Sequence, residues 1–345
     1  MIIDIHGHYT TEPKELFAFR DKQLAGLADA SRKPTTSDLG VSDEALIKSV
    51  EPQLKFQKDR GSDLTIFSPR AGGMAHHVGS EAISKEWSRV SNDLIHRICT
   101  LLPDNFVAVG QLPQFPGVSP KNCIPELERL VELGFVGVNL NPDPAGGYWT
   151  DPPMIDKYWY PLYEKLVELD MPAMIHVSSS CNPNFHHTGA HYINGDTSVF
   201  MQLIQGNLFK DFPTLKFVIP HGGGAVPYHW GRYRGIAQDM KRPVLTEYLL
   251  KNVFFDTCVY HLPGIELLTK VIPIDNILFA SEMVGAVKGI DPNTGNYYDD
   301  TKKYVDQVKT LSEGDRYEIF EGNARRVYPR LDKLLEKRGK PGKKV

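Results

Sequence analysis

The first residues of the chain have the types and the spacing of a metal site. A short apolar segment leads directly into His6 and His8. In a β-strand, residues i and i+2 project from the same face, and their Cα atoms lie about 6–7 Å apart. Two imidazoles at that separation can converge on one cation, and neutral imidazole is the most common metal ligand in proteins. The pattern therefore predicts a pair of metal ligands, if other parts of the chain supply the remaining ones.

Three more side chains suited to metal binding or proton transfer close apolar, strand-like segments. They are His176, His221 and Glu282. Imidazole nitrogen and carboxylate oxygen together suit Zn²⁺ or a similar divalent ion, with a position left for water. The fourth predicted strand ends without the lysine that a carbamylated two-metal site needs, so we expect one ion, Zn²⁺ or alternatively Mn²⁺. The predicted ligands are His6, His8, His176 and Glu282.

His221 differs from the other histidines because three consecutive glycines, residues 222–224, follow it. Glycine has no Cβ, so the backbone or a ligand can approach the imidazole closely. A flexible turn is the alternative interpretation of this glycine run. We predict that His221 acts as a general acid or base and is not a metal ligand.

Segments of β-character alternate with segments of helical periodicity along the chain. The β-rich segments are residues 2–8, 64–69, 106–112, 136–141, 173–178, 215–221, 253–260 and 277–282. Most are continuous apolar runs, as expected of strands that are buried on both faces of a parallel sheet. Eight alternating units predict an α/β fold, a (β/α)₈ TIM-type barrel, whose site lies on the loops after the strands. A doubly wound open sheet is the alternative, although no GxGxxG motif follows an early strand.

The spacing of these units predicts one domain, residues 1–330, followed by a basic C-terminal tail, residues 331–345. Residues 10–63 are too many for an ordinary connection and contain a predicted helix from about residue 43 to 60, so we expect an inserted cap over the barrel mouth. Residues 178–196 form a polar segment directly after the fifth predicted strand and are a candidate lid.

The composition favours a cytoplasmic enzyme that binds small molecules. The 345 residues carry a net charge of −3 and are 41% hydrophobic, which gives no electrostatic support for a nucleic-acid partner. The N-terminus lacks the features of a signal peptide, and no apolar run is long enough for a membrane partner to be expected. Four scattered cysteines without a CxxC pair are typical of reduced thiols.

Taken together, the motifs resemble the amidohydrolase superfamily, in the branch of aminocarboxymuconate semialdehyde decarboxylase and its relatives. The matching features are the segment 4–8, His176, the run that begins at His221 and the closing segment 321–325. The resemblance covers nearly the whole chain. It implies a (β/α)₈ barrel with one zinc-like ion and an acid/base role for His221. Where this branch commonly carries an aspartate after the eighth strand, the chain has Glu282.

This glutamate, together with the segments 68–77 and 188–192, is most similar to the hydratases of that branch. The similarity implies a hydro-lyase that adds water to 4-oxalomesaconate, also written 4-carboxy-2-hydroxymuconate, to give 4-carboxy-4-hydroxy-2-oxoadipate in protocatechuate 4,5-cleavage and gallate degradation. Glu282 is then a metal ligand, the base toward water, or both, and His221 handles the second proton. A nonoxidative decarboxylase of the same superfamily is the alternative, and a metal-binding protein without turnover is a third interpretation.

A small polycarboxylate substrate requires cationic and polar contacts. Arg70 follows the second predicted strand, and arginine suits bidentate carboxylate binding. Tyr192 and Asn194 are predicted substrate contacts from the polar loop. Arg232 lies on the helix after His221, and the resemblance implies that it reaches the site of a neighbouring subunit in a homodimer. A surface ion pair is the alternative role for Arg232.

Overall fold

The computed structural model describes residues 1–27, 29, 31 and 39–342, and it contains one sheet of eight parallel strands. The strands follow one another around the sheet in chain order. They are β1 (Ile3–His8), β2 (Leu64–Ser68), β3 (Phe106–Gln111), β4 (Gly137–Leu140), β5 (Ala173–Ile175), β6 (Phe217–Ile219), β7 (Val253–Asp256) and β8 (Ile277–Leu278).

Backbone hydrogen bonds join the last strand region to the first and close the sheet. The Ile5 amide donates to the Phe279 carbonyl at 3.0 Å, and the Glu282 amide donates to the His6 carbonyl at 2.9 Å. Closure removes both edges of the sheet, which an open doubly wound sheet would keep. The predicted (β/α)₈ barrel is confirmed.

Helices occupy the connections between the strands, as the alternating pattern predicted. In chain order they are α1 (Lys14–Ala25), α2 (Asp43–Ser49), α3 (Glu51–Arg60), α4 (Glu81–Leu101), α5 (Ile124–Glu132), α6 (Tyr160–Glu168), α7 (His191–Gln205), α8 (Leu208–Asp211), α9 (Trp230–Asp239), α10 (Leu245–Tyr248), α11 (Leu262–Val271), α12 (Thr301–Gln307), α13 (Glu313–Tyr317), α14 (Asn323–Val327) and α15 (Pro329–Lys337). None of the helices in the described part of the chain combines the length and hydropathy that a membrane-spanning segment requires.

Alternation along β3 shows how the two hydrophobic clusters of the barrel are divided. Phe106 and Ala108 belong to the larger cluster, which also contains the buried face of α4. Val107 and Val109 belong to the smaller cluster, together with Leu331 of α15. Because successive strand residues face opposite sides of the sheet, a single strand such as β3 contributes to both clusters.

Two segments, the one between β1 and β2 and the C-terminal one, differ in detail from the sequence prediction. Residues 10–63 contain α1, α2 and α3, and the predicted helix from about 43 to 60 is divided between α2 and α3. At the other end, the structure places residues 331–337, expected in a solvated tail, in α15, where Leu331 and Leu335 are buried. Residues 343–345, which include Lys343 and Lys344 of the expected basic tail, lie outside the described residues.

Candidate active site

Five side chains with metal or proton-transfer chemistry meet at the carboxyl ends of the strands. His6 and His8 belong to β1, whereas His176, His221 and Glu282 stand just after β5, β6 and β8. All five are at least 92% buried. The carboxyl ends of parallel strands meet at one rim of a barrel, so residues that are far apart in the sequence become neighbours there.

The imidazole rings are packed closely around a common centre. The ring centroid of His6 lies 4.7 Å from that of His8 and 5.2 Å from that of His176. The Nε2 atoms of His6 and His8 are 2.9 Å apart. Candidate ligand atoms within 4.8 Å of one another come from His6, His176, His221 and Glu282.

Hydrogen bonds on the far side of the rings orient the Nε2 atoms toward this centre. The Nδ1 atom of His6 donates to Asp256 at 2.7 Å, and that of His176 donates to the Val177 carbonyl at 2.7 Å. The Nδ1 atom of His8 lies 2.7 Å from Ser68 Oγ. Partners of this kind fix the tautomer that leaves the Nε2 lone pair free for a metal.

The structure supports a fit between this donor set and a divalent ion. The Nε2 atom of His176 is buried and has no hydrogen-bond partner among the described residues, although it faces the centre of the cluster. Burial, together with the neighbouring imidazoles, holds the pKa of His8 and His176 well below the ordinary value. Neutral imidazoles are the form that binds metal.

The ring of His221 donates a hydrogen bond to a carboxylate, as that of His6 does, and it also faces the carboxylate of Glu282. Its Nδ1 atom donates to Asp196 Oδ2 at 2.8 Å, and its Nε2 atom is 3.9 Å from Glu282 Oε2. Burial lowers the pKa of His221, but the carboxylates of Asp196 and Glu282 outweigh it and raise the pKa to about 9. The cationic imidazole is therefore the favoured form here, in contrast to His8 and His176.

The glycine run after His221 has a structural cause that the sequence left open. All three glycines have positive φ, and a Cβ at Gly223 would lie 2.4 Å from the Phe255 ring. A Cβ at Gly224 would lie 2.7 Å from the Ile193 carbonyl. The run therefore lets the turn pack directly against β7 and α7, and this packing fixes the position of His221.

Glu282 directs its carboxylate into a cavity of about 240 Å³ at the barrel mouth. Its Oε2 atom accepts a hydrogen bond from the Tyr260 hydroxyl at 2.5 Å. The cavity is lined by His8 and Glu282 at its base, and by Arg70, Tyr192 and Lys288. An acidic group beside imidazoles, with cationic side chains at the entrance, suits the binding of a small anion.

Two of the four predicted substrate contacts line the cavity, and two do not. Arg70 lines the cavity, and its Nε atom lies 3.3 Å from Oε2 of Glu12. Tyr192 also lines the cavity, with its ring 5.5 Å from the His221 ring. The described residues that line the cavity do not include Asn194 or Arg232, which are exposed on α7 and α9.

The position of Asn194 follows from where α7 begins. The sequence analysis assigned residues 178–196 to a polar loop, but α7 starts at His191. On a helix, residues two apart do not share a face. Tyr192 and Asn194 therefore point in different directions, and only Tyr192 reaches the cavity of the same chain.

Asp196, Asp256 and Lys288 were not singled out by the sequence analysis. Asp256 ends β7, a strand for which no polar terminus was considered, although a carboxylate at a strand end was the signal used for Glu282. Asp196 lies one turn into α7, and Lys288 lies in an irregular segment, so local patterns did not mark either of them. All three residues come next to the site because the folded barrel brings distant segments together.

The fold and the site together define a barrel enzyme with a histidine- and carboxylate-rich centre of the metal-binding type. The sequence matches the amidohydrolase family over residues 3–330, and the chain belongs to that family. The resemblance predicted from the motifs is confirmed.

Two relatives match almost the full length of the chain. This chain is 57% identical over 341 residues to a 2-keto-4-carboxy-3-hexenedioate hydratase of Sphingobium sp. (strain NBRC 103272 / SYK-6). The alignment covers 98% of this chain and 99% of the relative. The structure of this chain superposes on the crystal structure of a 4-oxalomesaconate hydratase from Rhodopseudomonas palustris with a TM-score of 0.92. The two sequences are 59% identical, and the superposition covers 99% of each chain.

A more distant relative is a decarboxylase. A gamma-resorcylate decarboxylase of Rhizobium sp. (strain MTP-10005) is 25% identical over 304 residues, which is 82% of this chain and 88% of the relative. The identity to the two hydratases is more than twice as high and extends over more of the chain.

Proposed function

We propose that this protein is a metal-dependent hydratase that converts 4-oxalomesaconate into 4-carboxy-4-hydroxy-2-oxoadipate. One observation carries the proposal: a chain 57% identical to a hydratase over its full length places the Glu282 carboxylate beside His221, in a cavity bordered by Arg70 and Lys288. This arrangement supplies a base, an acid and anion-binding groups for one small substrate. The place in aromatic catabolism, protocatechuate 4,5-cleavage and gallate degradation, follows from the substrate.

We propose His6, His8, His176 and Glu282 as the ligands of one divalent ion. Three imidazole nitrogens and one carboxylate oxygen match the ligand preferences of Zn²⁺, and Mn²⁺ is the alternative. When bound, such an ion supplies Lewis-acid chemistry that lowers the pKa of water and polarises a carbonyl group. We keep His221 outside this set because the carboxylates of both Asp196 and Glu282 raise its pKa to about 9, which favours the protonated ring.

The chemistry of the substrate defines what the side chains must do. The proton transfers are given for 2-keto-4-carboxy-3-hexenedioate, an alkene isomer of 4-oxalomesaconate that yields the same hydration product and after which the Sphingobium relative is named. In this isomer the alkene is conjugated with the ketone. When the oxygen of water bonds to C4, the alkene electrons move through C3 to the ketone oxygen. A proton must then be added at C3. The net change is the addition of one water molecule.

Glu282 and His221 divide the two proton transfers in this proposal. Glu282 takes a proton from the attacking water, and Tyr260 holds its carboxylate by a hydrogen bond. The protonated His221 donates to C3 and is restored by the proton that Glu282 accepted, across the 3.9 Å that separates the two side chains. Asp196 stabilises the cationic form of the ring before the donation and after the proton is restored, as carboxylates do for catalytic histidines.

The cations at the cavity entrance bind the carboxylates of the substrate. Arg70 offers a planar fork for bidentate binding, and Lys288 a point charge from the segment after β8. Tyr192 contributes a phenol at the cavity wall. Arg232 is exposed, so we extend the proposal to a homodimer in which it reaches the site of the second subunit. Asn194, exposed on α7, is proposed to act in that contact.

The proposal is tested with protein from which metal has been removed by a chelator. Zn²⁺ or Mn²⁺ is added back in steps, and loss of the conjugated chromophore of 4-oxalomesaconate is followed. We expect activity to rise to a plateau at one equivalent of metal. Full activity of the metal-free protein, or no activity with either ion on either alkene isomer, would contradict the proposal.

A further inference from the structure

The turn that follows Glu282 has an unusual backbone. The Gly285 amide donates to the Glu282 carbonyl at 2.8 Å, which defines a four-residue turn with Val284 in the third position. Val284 has a φ of 60°, in the left-handed region. That position normally holds glycine or asparagine, and a β-branched residue there is a clear outlier. A strained residue persists only where its surroundings hold it in place.

Two side chains from distant parts of the chain hold the backbone of Val284. The carboxylate of Asp299 accepts a hydrogen bond from the Val284 amide at 3.0 Å. On the other side, the hydroxyl of Thr10 donates to the Val284 carbonyl at 2.7 Å. The backbone N–H and C=O groups of the strained residue are therefore both hydrogen-bonded to side chains.

Asp299 is in turn fixed by Arg60 at the end of α3. The Nη2 atom of Arg60 donates to Asp299 Oδ1 at 2.7 Å, and Nη1 donates to the Asp299 carbonyl at 3.1 Å. The two side chains are only 6% and 5% exposed. The Arg60 guanidinium also lies over the Phe56 ring at 4.3 Å and near the Tyr297 ring at 5.4 Å. The arginine is thereby held on three sides.

The position of this ion pair suggests a role beyond stability. Arg60 belongs to the segment inserted between β1 and β2, whereas Asp299 lies at the end of the irregular segment that begins with Glu282. Neither side chain lines the cavity, judged from the described residues that do. The pair nevertheless connects, through one hydrogen bond to Val284, with the turn that carries the carboxylate of Glu282.

We propose that Arg60 and Asp299 are positioning residues for Glu282. The buried ion pair holds the left-handed turn at Val284, and the turn sets the place of the Glu282 carboxylate opposite His221. The proposal rests on the proposed function in so far as Glu282 is the base of the hydration. A displacement of about 1 Å at such a group costs about 100-fold in rate.

The test compares Asp299→Asn and Arg60→Lys with the control Arg325→Met, in the metal-replete full-length protein. Arg325 forms an ion pair with Glu321 of similar burial, 6% and 7% exposed, and Glu321 binds the N-terminal amino group at the opposite end of the barrel. We expect Asp299→Asn to lower kcat about 10- to 100-fold while KM changes less than about threefold. Arg60→Lys keeps the charge and is expected to lose less. The control should change kcat less than about twofold.

Two further measurements separate positioning from general destabilisation. Hydrogen exchange at residues 283–286 should become about 10-fold faster in Asp299→Asn and remain unchanged in the control. Adding Val284→Asn, whose side chain tolerates the left-handed region, should restore at least about fivefold of the lost kcat. Unchanged exchange, absent rescue, or an equal loss of kcat in the control would each overturn the proposal. If the wild-type protein hydrates neither isomer, the proposed function fails, while the exchange experiment still tests the turn.

Discussion

The Nε2 atom of His221 lies 3.9 Å from Oε2 of Glu282, and both residues adopt left-handed backbone conformations within four residues of the ends of their strands, with φ of 52° and 49°. Residues other than glycine adopt this conformation rarely, and such cases cluster at active sites. The backbone thus turns sharply at the two points where the side chains must face each other. A base and an acid held at this separation can act on adjacent carbons of one substrate.

Replacing Glu282 with glutamine tests its role as the base. The amide is similar in size but cannot accept a proton, so we expect kcat to fall by about 10²- to 10⁴-fold. Metal content, measured by mass spectrometry of the purified variant, shows whether the ion is retained. Glu266→Gln, an exposed change on α11, serves as the control. Near-normal turnover of Glu282→Gln with metal still bound would remove Glu282 from the mechanism.

Asp196→Asn is expected to alter the pH dependence of the reaction. Burial alone lowers the pKa of His221, and the Asp196 carboxylate contributes to raising it to about 9. An acid works only while it is protonated, so activity is lost as the pH rises through its pKa. Without the carboxylate the pKa of His221 falls, and the alkaline limb of the kcat profile should move to lower pH. An unshifted limb would argue against His221 as the acid.

Lys288→Met is expected to weaken substrate binding. A hydrogen bond to a charged group contributes about 1.5–3 kcal/mol, so we expect KM to rise about 10- to 100-fold with a smaller change in kcat. The exposed Lys309→Met is the matched control for the loss of one positive charge. If both variants raise KM equally, long-range attraction explains the effect and direct contact with the substrate does not.

Glu12 provides a pH-dependent test of stability. Burial raises its pKa from 4.5 to about 7, against the opposing effect of Arg70. The folded state therefore binds more protons between about pH 4.5 and 7, and stability falls as the pH rises through this window. At pH 8 the cost is about 3 kcal/mol. Glu12→Gln should raise Tm at pH 8, with a gain that shrinks toward pH 4.5, whereas the exposed Glu168→Gln should not.

Much of the barrel was predictable because its signals are local. Each strand is a short apolar run, and each of His176, His221 and Glu282 directly follows one, so rim positions could be assigned without knowing the closed structure. The beginning of α7 was not predictable, because residues 178–190 are polar and lack periodicity. As a result, Asn194 was expected at the cavity but is exposed.

The groups that orient the histidines could not be predicted from local patterns. Asp256 contacts His6 across 250 positions of the sequence, and Asp196 contacts His221 across 25. The local sequence around either aspartate does not distinguish it from aspartates that lie outside the site. The same holds for Arg60 and Asp299, which are 239 positions apart. Pairings of this kind depend on tertiary structure and leave no trace in spacing.

The most direct test of the central claim is to identify the product. Metal-replete protein is incubated with 4-oxalomesaconate in ¹⁸O-labelled water, the product is analysed by mass spectrometry, and released carbon dioxide is measured in parallel. Hydration predicts a product heavier than the substrate by one labelled water, with no carbon dioxide. Stoichiometric carbon dioxide and a product without added water would contradict it and indicate a decarboxylase instead.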